Sequence, residues 1–208
     1  MTRAALVLVA VAACHRTPAD PERAFWAWFA DHARELSQMH DPAAAVARIS
    51  PELDRVDDSM LVEIGRAGSD SLLVITADGD RSRFAAIQHL VDLRPPSIPG
   101  WQVSALRPRD PTRPLPAVMM EGEQIDPARV KVVATPDASK LDVKLFIPGY
   151  TDDDKKLGML AFLLLDEAIG ESDTELRVGR IDMAPVEQAP AGATAVDQLP
   201  AAIDALPR

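Results

Sequence analysis

The stretch MLVEIGRAGSDSLLVITADGD, residues 60–80, decides the fold. Its flanks, MLVEIG (60–65) and LLVITA (72–77), are apolar and rich in Val, Ile and Thr, which favour strands. The Gly-Ser-Asp break between them reads as a hairpin. Asp78-Gly79-Asp80 is a turn into a helix whose inward face carries Phe84, Ile87, Leu90 and Val91. Pro95, Pro96, Pro99 and Gly100 stop that helix, and WQVSALR (101–107) reads as a further strand. The unit is ββαβ.

The same order returns downstream. VKVVAT (130–135) and LDVKLFI (141–147) are strands separated by a Pro-Asp turn. Gly149-Tyr150-Thr151-Asp152 precedes a helix over 152–169, with Thr151 and Asp154 spaced as a capping box. Its apolar positions, Leu157, Leu160, Ala161, Leu164, Leu165 and Ala168, predict burial on more than one face. Gly170 ends it, and ELRVGRIDM (175–183) is the last strand. Both final strands carry arginines near one end: Arg107 and Arg109 in the first, Arg177 and Arg180 in the second. Either this is a duplication or two common units lie side by side. A duplication predicts that each unit exposes one apolar sheet face and that the two share a core. The product is one continuous antiparallel-rich sheet, or two sheets, under helices.

Working outward, Asp20-Pro21 and Asp41-Pro42 are paired helix starts, a carboxylate N-cap followed by proline. Phe25, Trp28, Phe29, Leu36 and Met39 line the first helix, and Val46, Ile49, Leu53 and Val56 the second. Together they predict an antiparallel helical hairpin. Trp26 points about 100° from the first stripe, so it either covers another element or is exposed. Residues 108–116 are a polar, proline-rich connection, and 117–121 a short strand. From Pro185 the chain is rich in alanine and proline; Leu199, Ile203 and Leu206 either dock as a short helix or the tail is disordered. The expected class is α+β: a domain over 21–184, in subunits of about 21–109 and 117–184, with a tail over 185–208.

The first residues, MTRAALVLVAVAACHRT, predict location. Arg3 precedes an apolar run over 4–13, too short to span a membrane and of the length of a secretory signal core. Val11-Ala12-Ala13-Cys14 matches a lipobox. Residues 1–13 are then a signal peptide, Cys14 is the lipidation site, and 14–20 is a short tether. This expects a protein held to its membrane by lipid, on the extracytoplasmic (periplasmic) side. The competing expectation is a cytoplasmic protein with a cysteine placed there by chance.

About 190 residues remain after such cleavage, enough for a real core. The 47% hydrophobic content is ordinary for a globular protein, and the single cysteine precludes an internal disulfide. The net charge is −10, and −11 once Arg3 is lost. That argues against nucleic acid as a partner, since phosphate backbones demand Lys and Arg.

Catalytic patterns are missing from the sequence. His32 and His40 are eight apart, not the i,i+4 pair of a metal helix, and His32 sits on an apolar stripe. There is no Gly-x-Ser-x-Gly, His-Glu-x-x-His, P-loop or Rossmann pattern. Asp152-Asp153-Asp154 reads more simply as a match to a helix dipole than as a calcium site. Asp166 and Glu167, near the end of an apolar helix, are candidates for an acid–base pair, or merely a polar helix edge. Arg107, Arg109 and Arg113 lie within seven residues and suit an anion or a partner's carboxylates, with Arg177 and Arg180 nearby if the units pair symmetrically. The alternative is a solvated loop.

Six pieces together resemble a family of uncharacterised bacterial proteins: Phe25-Trp26-x-Trp28-Phe29, Glu63-Ile64-Gly65, Ile75-Thr76-Ala77-Asp78-Gly79, Pro99-Gly100-Trp101, Arg107-Pro108-Arg109 and Leu165-Asp166-Glu167-Ala168-x-Gly170-Glu171. The similarity covers roughly residues 25–185 and implies no particular activity. The sequence thus leads to a lipid-tethered, non-enzymatic interaction or binding module, with no metal or cofactor and with a possible protein partner. A carboxylate-dependent enzyme is the rival.

Overall fold

A computed structural model describes residues 20–207. Cys14 and the leader lie outside the described residues. The fold is α+β. α1 (Pro21–Ser37) begins where Asp20 accepts the amides of Glu22 and Arg23, and α2 (Pro42–Leu53) where Asp41 accepts that of Ala43. These caps satisfy amides that have no partner within the helix. α1 buries Phe25, Trp26, Phe29, Ala33 and Leu36. Trp26 therefore covers another element: its indole Nε1 donates to the Leu90 carbonyl at 2.7 Å. Trp28, expected in the core, is only half-buried and stacks on His32.

β1 (Leu61–Ala67) and β2 (Asp70–Thr76) form an antiparallel hairpin with Ala67 opposite Asp70. Gly68 supplies the positive φ (63°) of its two-residue turn, a conformation open to glycine because it has no Cβ. α3 (Phe84–Asp92), entered through a 3₁₀ turn capped by Asp80, crosses over to β3 (Trp101–Ala105). β3 pairs parallel to β2, giving the order β1-β2-β3.

The connection after β3 holds a small hairpin, β4 (Val118–Met120) with β5 (Glu123–Ile125). The second unit then repeats the first. β6 (Lys131–Asp137) and β7 (Lys140–Ile147) pair antiparallel with Asp137 opposite Lys140. The turn is Ala138-Ser139, two residues beyond the Pro-Asp pair expected from the sequence, and Ala138 takes the positive φ (54°) held by Gly68 in the first unit. α4 (Lys155–Ile169) starts three residues later than expected. Asp154 itself is the cap, accepting the Leu157 amide, so Thr151 and Asp154 do not form a reciprocal box. The expected start of the last strand is instead a second helix, α5 (Glu171–Arg177). β8 (Val178–Pro185) follows it, parallel to β7 as β3 is to β2. β9 (Thr194–Ala195) adds two residues beyond β6, for the order β8-β7-β6-β9. α6 (Leu199–Asp204) is the last element among the described residues.

The units do not share a core. The first sheet is covered by its own helices: Phe29, Ile49, Leu53, Ile87 and Leu90 pack with Leu73 and Ile75. The second is covered by α4 and by the tail, where Val196, Leu199, Ile203 and Leu206 join Leu145, Leu160 and Leu164. The shared core fails for a plain reason. Each sheet face already has an apolar cover within its own stretch of chain, so neither face is left for the other.

Candidate functional site

Where the units meet, the contacts are polar, and they centre on Arg107. The chain leaves β3 through Leu106, at φ 65°, whose amide donates to the Ile75 carbonyl. A left-handed leucine is strained, and it turns Arg107 into the junction. Three more positive-φ residues stand there: Asp78 (50°), Gly79 (87°) and Gly170 (87°). A Cβ on Gly170 would lie 3.2 Å from the Arg109 amide nitrogen and 3.3 Å from the Arg107 carbonyl, so this glycine permits the approach of two backbones.

The Arg107 side chain is 13% exposed. Its Nε donates to both Glu63 oxygens, at 2.8 and 2.9 Å. Nη2 donates to Asp78 at 3.0 Å and to Glu63; Nη1 donates to Asp166 Oδ2 at 2.8 Å. Glu63 and Asp78 belong to the first unit and Asp166 to α4, so one guanidinium ties the two halves. Hydrogen bonds and charge from Glu63, Asp78 and Asp166 outweigh the cost of burial and hold Arg107 charged.

Glu171, fully buried at the start of α5, makes the second tie. Its carboxylate accepts from the Thr76 hydroxyl at 2.6 and 2.7 Å, from the Gly79 amide at 3.1 Å and from the Arg107 amide at 3.0 Å. Its own amide donates to the Arg107 carbonyl at 3.0 Å. Around this core, Arg81 on the first unit donates to Glu175 on α5 at 2.8 Å.

Asp166 is 8% exposed. Burial raises its carboxyl to about 6 against the opposing pull of Arg107 and Thr174, with the Glu171 charge adding to the rise. The neighbouring Glu167 does not join Asp166. It turns outward, with Arg113 3.6 Å away. The acid–base pair expected from the sequence is therefore not assembled.

The arginines do not make one surface. Arg107 is largely enclosed at the junction, its guanidinium taken up by Glu63, Asp78 and Asp166. Arg109 Nη2 donates to Asp204 of α6 at 3.1 Å, while Nη1 lies 3.0 Å from the same carboxylate but off the hydrogen-bond line. Arg113 sits against Asp110 at 3.1 Å and is half exposed. Arg109 and Arg113 do converge on one cleft, of about 490 Å3, between the connection and the tail; Leu115, Val196 and Pro200 also line it. Arg177 is spent on the Ile203 carbonyl at 2.7 Å, closing the end of α6. Arg180 is exposed, 3.1 Å from Asp182. Both precede or open β8, whereas Arg107 and Arg109 follow β3, so the symmetry expected of the arginines fails. The extra helix α5 displaced the strand start on which that expectation rested.

The main clefts among the described residues are lined by other residues than Arg107, Asp166 or Glu171. No group of three or more His, Cys, Asp and Glu among the described residues is arranged to hold a metal. Composition and spacing did not single out Glu63, Thr76 or Asp78. The signal was nonetheless present. Glu63, Thr76, Asp78, Gly79, Arg107, Asp166, Gly170 and Glu171 all fall in four of the six short pieces quoted above, and those four meet at this junction.

No protein-family model, curated protein or solved structure matches the chain.

Proposed function

We propose that the chain is a lipoprotein, cleaved before Cys14, lipidated there and held on the extracytoplasmic side, where its body serves as a non-enzymatic interaction module. We also place it with the bacterial family its short motifs resemble. The observation that carries the non-enzymatic reading is the use made of the buried charges. Arg107, Asp166 and Glu171 are each engaged in joining the two units, with their hydrogen-bonding capacity turned on one another. A catalytic carboxylate must instead reach a reacting atom in a pocket. The working surface is the cleft that carries Arg109 and Arg113, each beside an aspartate of the same cleft, Asp204 and Asp110, with Leu115, Val196 and Pro200 as apolar lining; a partner's carboxylates compete with those aspartates for the guanidinium groups.

Labelling the full chain with radioactive palmitate tests the anchor. Wild type should be labelled and sediment with membranes, and Cys14→Ala should lose both properties. An unlabelled wild type that migrates like Cys14→Ala would sink the lipid reading. Crosslinking in intact cells tests the surface by comparing wild type with an Arg109→Ala/Arg113→Ala double variant. The wild type should give a discrete crosslinked species that the variant loses. Identical patterns would remove the cleft as the working surface.

A further inference from the structure

The second sheet ends in an open edge. The other sheet edges are blunted in ways that hinder pairing with another chain. β9 offers two residues and leaves unpaired only a part of β6 that contains Pro136, β3 offers five residues, and β1 lies against α2. β8 runs for eight residues and pairs only with β7. A bulge places an extra residue of β8 opposite Asp142, whose carboxylate accepts the Arg180 amide at 2.8 Å. That amide points toward β7. Alternation along the strand then turns the N–H and C=O of Ile181 and Met183 to the free side. The side chains of Ile181 and Met183 pack on the second core, so those of Arg180 and Asp182 lie on the opposite face.

We propose that β8 pairs antiparallel with β8 of a second copy of this chain, about a two-fold axis at Ile181. A two-fold interface must be complementary to itself, and this strand is. Read against its own reverse, Val178-Gly179-Arg180-Ile181-Asp182-Met183-Ala184 sets Arg180 opposite the second copy's Asp182, and Asp182 opposite its Arg180. Two arginines or two aspartates at these places would forbid the same axis. Ile181 exchanges both backbone hydrogen bonds with its mate across the axis. The flanking Arg–Asp pairs then fall at non-hydrogen-bonded positions, where side chains approach closest. The Arg180–Asp182 ion pair within each chain, 3.1 Å long and largely exposed, is given up, and the two pairs of the separate copies become two pairs between chains. Leu176, 50% exposed on the helix leading into β8, adds an apolar contact beside the edge. The product is an eight-stranded sheet in the order β9-β6-β7-β8-β8-β7-β6-β9.

Sedimentation velocity of the full chain in mild detergent, over a range of concentrations, tests the pairing. Wild type should show a concentration-dependent dimer. Arg180→Asp and Asp182→Arg should each weaken it by at least about tenfold, because like charges then face each other across the axis. Mixing the two variants should restore a dimer, now between unlike chains, since every facing pair is again of opposite sign. Both side chains are at the surface, and circular dichroism should show each variant folded. A wild type that stays monomeric would overturn the proposal. So would variants that dimerise as well as wild type, or a mixture that stays monomeric.

Discussion

Burial lifts the Asp166 carboxyl to about 6 although Arg107 Nη1 lies 2.8 Å away, and the sign of the consequence follows. The folded pKa stands above the unfolded value of 3.8, so the folded chain binds the Asp166 proton more tightly. The stability this confers is complete below the unfolded value and is lost as pH rises through about 6. Acidifying from about pH 7.5 to about pH 5 should therefore add about 1 kcal/mol from this group. That runs against the usual loss of stability by carboxylates in acid. Asp166→Asn keeps an acceptor for Arg107 and removes the titration. Urea unfolding of wild type and Asp166→Asn at the two pH values is the measurement. The wild type should gain relative to the variant at the lower pH; an equal response would place the Asp166 carboxyl in its ordinary range.

Among the elements, α4 carries the second core. Leu160 and Leu164 are fully buried between the sheet and the tail. Replacing either with alanine should cost about 2–5 kcal/mol, transfer and cavity together. A loss within error in denaturant titration would put this face of α4 at the surface. The position of α4 was legible because its apolar run is long and helically periodic. β1, β2, β6 and β7 were legible because β-branched runs and tight turns mark them. α5 was not. ESDTELR is polar and only two turns long, and it leans on Gly170 and on Glu171's bonds to Thr76, Gly79 and Arg107 in the other unit. No local pattern encodes that. The candidate site was read unevenly for the same reason. Arg107 stood out by its neighbours in sequence, yet its three carboxylate partners lie 29, 44 and 59 residues away.

On the scale of the whole molecule, two separate apolar cores are joined through a polar junction, so the coupling between them should rest on Arg107 and its partners. Arg107→Ala removes the cation that Asp166, Glu63 and Asp78 share and leaves Asp166 buried beside Glu171 with no countercharge. Breaking a buried pair in this way should cost about 3–5 kcal/mol. Neither core contains Arg107, so the loss should fall on the coupling between units. The chain offers its own reporter. Its three tryptophans, Trp26, Trp28 and Trp101, all lie in the first unit, whereas far-ultraviolet circular dichroism follows both. In wild type the two signals should trace one urea transition, as a cooperative unit requires. In Arg107→Ala they should separate, the dichroism showing a step that tryptophan fluorescence does not. Coincident curves in the variant would mean that the remaining contacts, Glu171 on Thr76 and Gly79 and Glu175 on Arg81, hold the units together without Arg107.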